Sequence, residues 1–343
     1  MAASPTDRPT TAELTMAVST AVRAPSIHNT QPWRWTLLPD GLELRADRSR
    51  QLQVLDLDAH ALTISCGAAL WLARLALRAQ GWREAVEYLP EPREQDLLAR
   101  VRVTRREKPP PGVDTRLAAA RNRYTERRQF APGAVPDRMV DPLRGAALDA
   151  GGDAAVCLHV PRSPDELRNL AEVVWRADAD ESVDPGYQEE LAGWLRPDGA
   201  ARDGIPPAAV PRATVGEPRY GDFPVRDFAP GADGQRQVAG RVLERPLIGV
   251  LLTPGDGRLD RLRAGEALAA VLVEAEMIGL AASPVSQPVD WPVWRYRLRQ
   301  LMGWSDCPQM ILRLGWRPED QNRDHPLTGR RPVGDILDDP PGR

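Results

Sequence analysis

From Ala24 to Trp35 the chain reads Ala-Pro-Ser-Ile-His-Asn-Thr-Gln-Pro-Trp-Arg-Trp, a run of hydrogen-bonding side chains held between two prolines. Pro25 and Pro32 lack backbone donors, and Ser26, Asn29, Thr30 and Gln31 can bond nearby backbone, so a helix arriving from upstream has to stop here. The result is a rigid polar loop followed at once by an apolar strand, Trp33 to Leu38. Donors and acceptors at fixed points suit the edge of a flat heteroaromatic ligand. His28, inside the turn, reads as structural or substrate-facing rather than as a general acid. His60, His159 and His325 are scattered without metal-ligand spacing, so no metal site is expected. With no Gly-x-Gly-x-x-Gly after a strand, no Walker A and no nucleophile elbow, a Rossmann dehydrogenase, an ATPase and a serine hydrolase all lack support.

The same run resembles the flavin-contacting motif of the nitroreductase family: Ala-Pro-Ser, two variable residues, Asn, one variable residue, Gln-Pro-Trp. Every fixed position is filled. The resemblance implies an α+β nitroreductase-like fold, FMN as cofactor, and cofactor contacts from Pro25, Ser26, Asn29 and Gln31. Three further stretches resemble family features. Arg123-Tyr124-Thr125-Glu126-Arg127 is similar to the Arg-x-Ser/Thr-x-Arg signature, which implies contacts from Arg123, Thr125 and Arg127 to the flavin phosphate and pyrimidine ring. Ser283-Pro284-Val285-Ser286-Gln287 stands where the family runs a loop along the ring, often Pro-x-Glu-Gly, which implies contacts from Pro284, Val285 and Ser286; here Ser286 and Gln287 replace Glu and Gly. Arg330 and Arg331 resemble the C-terminal basic residues that complete the phosphate pocket, and guanidinium forks suit phosphate oxygens.

In ordinary nitroreductases two identical protomers share each flavin. This chain would hold both contributions in cis. Cys66 to Trp82 sets against Ala264 to Leu280 without a gap, matching Gly67 with Gly265, Ala69 with Ala267, Leu70 with Leu268 and Gly81 with Gly279. We therefore expect a fused pseudo-dimer formed by internal duplication: a first half over 1–107 with the Pro-Ser loop, a proline-rich connector over 108–113, and a second half over 114–343. The second half carries a Pro-, Gly- and charge-rich insertion at about 196–236, too long for a plain connector and read as a lid. This pattern most resembles the Acg-type branch of the family from actinobacteria, in which a segment covers a bound flavin.

The activity this resemblance implies is transfer of hydride from NAD(P)H through FMN to an electron-poor acceptor such as a nitroaromatic or quinone. No residue need be catalytic, because the cofactor carries the chemistry. The alternative is a flavin-storage protein whose lid blocks nicotinamide.

A chain of 343 residues with 42% hydrophobic and 27% charged composition suits a soluble globular protein able to bury a core. The 45 basic and 48 acidic residues, net −3, create no global field, which disfavours nucleic acid and anionic membranes as partners. Cys66, Cys157 and Cys307 are far apart and fit reduced thiols. No leader and no apolar run near ~18 residues is evident, so we expect a cytoplasmic location. A monomer or weak homodimer is expected.

The elements that must position the site follow from periodicity. Thr11 to Arg23 reads as a helix capped by Thr11. Trp33 to Leu38 and the strand after Pro39-Asp40-Gly41 form a hairpin. Asp58 to Gln80 reads as a long buried helix, with strands at Ala85 to Leu89 and Leu98 to Val103. In the second half we expect a helix and strand within Val140 to Val160, helices at Pro164 to Ala177, Asp184 to Leu195 and Ala264 to Ile278, and strands at Arg245 to Thr253, Ala281 to Val285 and Met310 to Leu314. Arg317 to Arg343 reads as a polar tail.

Overall fold

The computed structural model describes residues 8–196, 201–206, 209, 244–318 and 328–338. Most of the expected 196–236 insertion lies outside the described residues.

Helix α1, Thr11–Ala21, starts one residue after its cap: Thr10 Oγ1 accepts from the Glu13 amide (3.2 Å) and the Glu13 carboxylate accepts from the Thr10 amide (2.8 Å), so the cap is Thr10 rather than Thr11. Its buried Leu14, Ala17, Val18 and Ala21 join the first hydrophobic core. Strands β1 (Trp33–Leu38) and β2 (Gly41–Ala46) make the hairpin, and helix α2 (His60–Ala79) leads to β3 (Trp82–Tyr88) and β4 (Leu97–Arg106). A helix the sequence reading did not anticipate, α3 (Val113–Asn122), follows; its polar composition offers little apolar periodicity.

The remaining elements are β5 (Gly133–Ala134), α4 (Val140–Gly151), β6 (Cys157–His159), α5 (Pro164–Val183), α6 (Pro185–Trp194), β7 (Glu244–Arg245), β8 (Leu247–Thr253), α7 (Arg258–Met277), β9 (Leu280–Val285), α8 (Gln287–Asp290), α9 (Pro292–Met302), β10 (Cys307–Trp316) and β11 (Leu337–Asp338). Helix α7 begins well before Ala264 because Asp260 accepts from the Gly257 amide at its start, in a charged first turn that hides the apolar period. The polar tail is more than a tail. Its end forms β11, parallel to β1 with Trp35 beside Leu337.

Two mainly antiparallel sheets result, ordered β11-β1-β2-β4-β3 and β6-β8-β10-β9. Apart from β11, the second sheet has the strand order of the first, its two earliest strands side by side, then the last strand, then the strand that follows the long helix; β1 and β2 form a hairpin, whereas α5, α6 and β7 lie between β6 and β8. Helices α2 and α7 are each followed by a left-handed glycine, Gly81 (φ 78°) and Gly279 (φ 82°), and the next strand begins one residue later.

Helices α2 and α7 meet between the sheets at Gly67 and Gly265. A Cβ on Gly67 would lie 2.0 Å from the Leu262 carbonyl oxygen, and one on Gly265 would lie 2.1 Å from that of Ile64. The sequence offset that pairs Gly67 with Gly265 also pairs Ile64 with Leu262, so the two contacts are mirror copies of each other. Asp58 and Asp256, related by the same offset, both ion-pair with Arg261 and Arg295.

By length and composition α2 is apolar enough to cross a bilayer, contrary to the expectation that no run reaches that length. Here it is a core helix, buried along nearly its whole length.

Candidate functional site

The Pro25–Pro32 loop is held in a conformation few side chains adopt unaided. His28, Asn29 and Gln31 all sit at positive φ (46°, 56° and 50°). Asparagine tolerates the left-handed region, but His28 and Gln31 there are strained by roughly 1–2 kcal/mol each. The surroundings hold them: Ser26 Oγ accepts from the Gln31 amide (3.0 Å), and the Ser26 and Ile27 carbonyls accept from the Asn29 and Thr30 amides (3.0 and 2.8 Å).

This loop forms one wall of a cleft. Pro25, Ser26, Ile27 and His28 face Thr125 and Arg127, while Ala61, Ile64 and Ser65 of α2, Leu268 of α7 and Met310 of β10 supply the rest of the lining with Ser283 to Gln287. Thr125 reaches the cleft because its backbone bridges to Ala282, whose carbonyl also accepts from the Glu126 amide (2.9 Å). Residues near 26 and near 125, a hundred positions apart in sequence, thus share one crevice.

Of the twelve residues expected to contact a cofactor, Pro25, Ser26, Thr125, Arg127, Pro284, Val285 and Ser286 line the cleft. Ser286 donates to Asp290 Oδ2 (2.8 Å), which fixes the turn into α8. The other five stand behind it. Asn29 Nδ2 donates to the carbonyls of Gly204 (3.0 Å) and Gly329 (3.1 Å), and its Oδ1 accepts from Arg330 Nη1 (3.0 Å). Gln31 donates to the Arg202 carbonyl (2.8 Å) and accepts from the Arg331 amide (2.9 Å). Arg331 reaches the Gln31 and Asp335 carbonyls and lies 3.7 Å from Asp47. Asn29, Gln31 and Arg331 therefore bind protein: their polar groups knit three chain segments together instead of facing the cleft.

Arg123 and Arg330 form the positive back of the site with Arg127. Burial, then the neighbouring charges of Arg123, Arg23 and Arg127, push the Arg330 guanidinium down to about 9. Burial, then Arg23, pushes Arg123 down to about 10, and burial does the same to Arg127. Glu126 forks onto Arg128 (2.9 and 2.7 Å), and its charge partly offsets the effect of burial on Arg127, as that of Glu276 does on Arg123. Arg123 donates to the Arg23 carbonyl, and Arg330 to Asn29, Thr328 and Gly329 oxygens, all neutral. The buried Nε atoms of Arg123 and Arg330 have no acceptor among the described residues. Desolvated cations with spare donors favour the approach of an anion.

Sequence reasoning missed Ser65, Ile64, Leu268, Met310 and Arg23. On the sequence Ser65 and Ile64 look like core positions of an apolar helix; only the crossing of α2 with α7 turns that face towards a cleft.

The positions related to the cleft by the α2–α7 offset are filled by larger side chains. The helix offset maps Ser65 onto Arg263 and Ser286 onto Tyr88. Arg263 stacks on the Tyr88 ring at 3.8 Å and donates to its hydroxyl (2.8 Å), and the Tyr88 hydroxyl donates to Glu266 (2.9 Å), which also pairs with Arg74. Two small serines leave space on one side; an arginine–tyrosine stack occupies it on the other.

No protein-family model matches the chain. It is 36% identical over 323 residues to a Mycobacterium tuberculosis protein named "Putative NAD(P)H nitroreductase", covering 93% of this chain and 89% of that one. A second Mycobacterium tuberculosis protein, "Putative NAD(P)H nitroreductase acg", is 31% identical over 333 residues, 96% of each chain. Among solved structures, one described as a "putative nitroreductase" from Anabaena variabilis overlays 90% of this chain and 88% of its own at 9% identity and a TM-score of 0.42, a likeness too remote to carry an argument.

Proposed function

The chain belongs to the Acg-like NAD(P)H nitroreductases, and on that premise we propose that it is an FMN-dependent oxidoreductase. FMN, when bound, supplies the two-electron step, taking hydride from NAD(P)H and passing it to an electron-poor small molecule such as a nitroaromatic or quinone. The observation that carries this reading is the arginine cluster: Arg123, Arg127 and Arg330 are buried together behind a cleft walled by Ser26 and Thr125, and the Nε atoms of Arg123 and Arg330 have no acceptor among the described residues. A phosphomonoester dianion has the charge and acceptor oxygens those guanidiniums require. The cleft wall, with Ile64, Leu268, Val285 and Met310 among hydroxyls of Ser26, Ser65 and Thr125, fits an apolar ring with a polar edge.

The chain's own part in the reaction is to bind and orient. Arg123, Arg127 and Arg330 hold the phosphate and favour negative charge nearby, including charge that accumulates when the ring is reduced. Ile64, Leu268 and Met310 keep water from the reacting face. The strained turn at His28 fixes Ser26 against Thr125, so no rearrangement is needed at the moment of transfer.

We also read the chain as a fused dimer, with halves over 1–107 and 114–343 joined at 108–113. The repeated strand order, the paired glycine contacts and the paired Asp58 and Asp256 support that reading. The Arg263–Tyr88 stack argues for one cofactor per chain.

Mixing the FMN-loaded protein with NADPH under anaerobic conditions tests the activity. Bleaching of the yellow colour within seconds, and its return on adding menadione, is the expected result. Persistent yellow colour would overturn the enzyme reading in favour of a flavin-storage protein.

A further inference from the structure

Residues 201–206 form a short strap bound to the same loop that walls the cleft, and Asn29 stands at the junction. Its Oδ1 accepts from Arg330 Nη1 while its Nδ2 holds the Gly204 and Gly329 carbonyls. Gln31 repeats the arrangement one step along, accepting from the Arg331 amide and donating to the Arg202 carbonyl. The contact is steric as well as polar: a Cβ on Gly329 would lie 2.2 Å from the Ala201 oxygen and 2.7 Å from Arg202 Cα. The far side of the strap is anchored too. Asp203 pairs with Arg50 and with Arg196 (3.0 Å), and Ile205, fully buried, packs with Leu52, Leu55, Tyr187 and Leu191. Arg330 and the strap cannot be repositioned independently.

We propose that anion binding at Arg123, Arg127 and Arg330 and the seating of residues 201–206 are one linked equilibrium, with Asn29 as the positioning residue that couples them. Without an anion, Arg23, Arg123, Arg127 and Arg330 repel one another, and that repulsion acts against the placement of Arg330 on Asn29. An anion cancels it. Linkage then requires that the factor by which a seated strap raises anion affinity equal the factor by which the anion favours seating. The inference rests on the reading of these arginines as a phosphate pocket, but not on any ring in the cleft.

Limited trypsin digestion tests it, because Arg202 is an exposed cleavage site within the strap. Cleavage after Arg202 is followed by mass spectrometry in inorganic phosphate, in chloride of equal ionic strength, and with FMN or riboflavin. Phosphate and FMN are expected to slow this cleavage about fivefold or more, and riboflavin to leave it unchanged. Asp203→Asn, which alters no residue of the arginine cluster, should speed cleavage and weaken phosphate binding measured by calorimetry. Asn29→Ala should still bind phosphate, through Arg330 held by Thr328 and Gly329, yet lose the protection. Phosphate binding without protection of the unaltered chain, no phosphate binding, or full protection in Asn29→Ala would each overturn the linkage. Protection by phosphate in a protein that takes up no FMN would uphold the linkage and remove the flavin reading.

Discussion

Replacing Arg330 by methionine separates what this residue does for the fold from what it does for a ligand. Among the described residues it donates to neutral oxygens of Asn29, Thr328 and Gly329, each such bond worth about 0.5–1.5 kcal/mol net. Against that loss stands a gain, because Arg23, Arg123 and Arg127 are relieved of a like charge. The two effects oppose each other, so Arg330→Met should cost the protein without flavin less stability than the lost bonds alone would. Binding is different. A hydrogen bond between guanidinium and phosphate contributes about 1.5–3 kcal/mol, or roughly 10- to 150-fold in affinity. Quenching of flavin fluorescence on titration into ligand-free protein gives the dissociation constants, and riboflavin, which lacks the phosphate, is the control. Arg330→Met should lose roughly 10- to 150-fold for FMN and nothing for riboflavin. Equal losses for both flavins, or no loss for FMN, would refute the phosphate assignment.

Gly67→Ala and Gly265→Ala should each destabilise the protein by at least about 2 kcal/mol in chemical denaturation and to a similar extent, since each Cβ meets a carbonyl oxygen across the same helix crossing; a strongly unequal pair of effects would contradict the symmetric crossing. Ser65→Arg, which copies Arg263 into the open cleft, should abolish FMN uptake while leaving a cooperative melt, and retained FMN would show that the cleft is not the binding site. Burial, assisted by the charges of Asp290 and Asp58, raises the Asp56 carboxyl from 3.8 to about 7 against the Ala61 and Leu62 amides it accepts from. The folded chain therefore holds a proton that the unfolded chain has released over that range, so this contribution is complete at acid pH and declines as pH rises towards 7, by up to about 1.4 kcal/mol per unit. Asp56→Asn should flatten the fall in stability between pH 5 and 7, and an unchanged slope would remove Asp56 as its source.

Local signals carried much of this far. The Trp33–Leu38 strand, the long apolar helix after Asp58 and the glycine ends at Gly81 and Gly279 were legible because each rests on short-range chemistry: an alternating or continuous apolar run, or a left-handed cap. Helix α3 and the charged start of α7 were not, because neither shows an apolar face over its length. In the candidate site, the Pro-Ser run and the Arg123–Arg127 segment could be picked out, but their partners could not. Whether Asn29 and Gln31 face a ligand or bind Gly204, Gly329 and Arg202 depends on segments far away in sequence. Ser65 acquires meaning only when the crossing at Gly67 brings it opposite Thr125, and β11 only when the tail finds the edge of β1.

In the proposed arrangement one cleft, walled by Ser26 and Thr125 and backed by Arg123, Arg127 and Arg330, holds a single FMN. Flavin is counted against protein by absorbance after saturation with FMN and gel filtration. One FMN per chain is the expected result; a colourless protein, or two FMN per chain, would overturn the single-cleft reading.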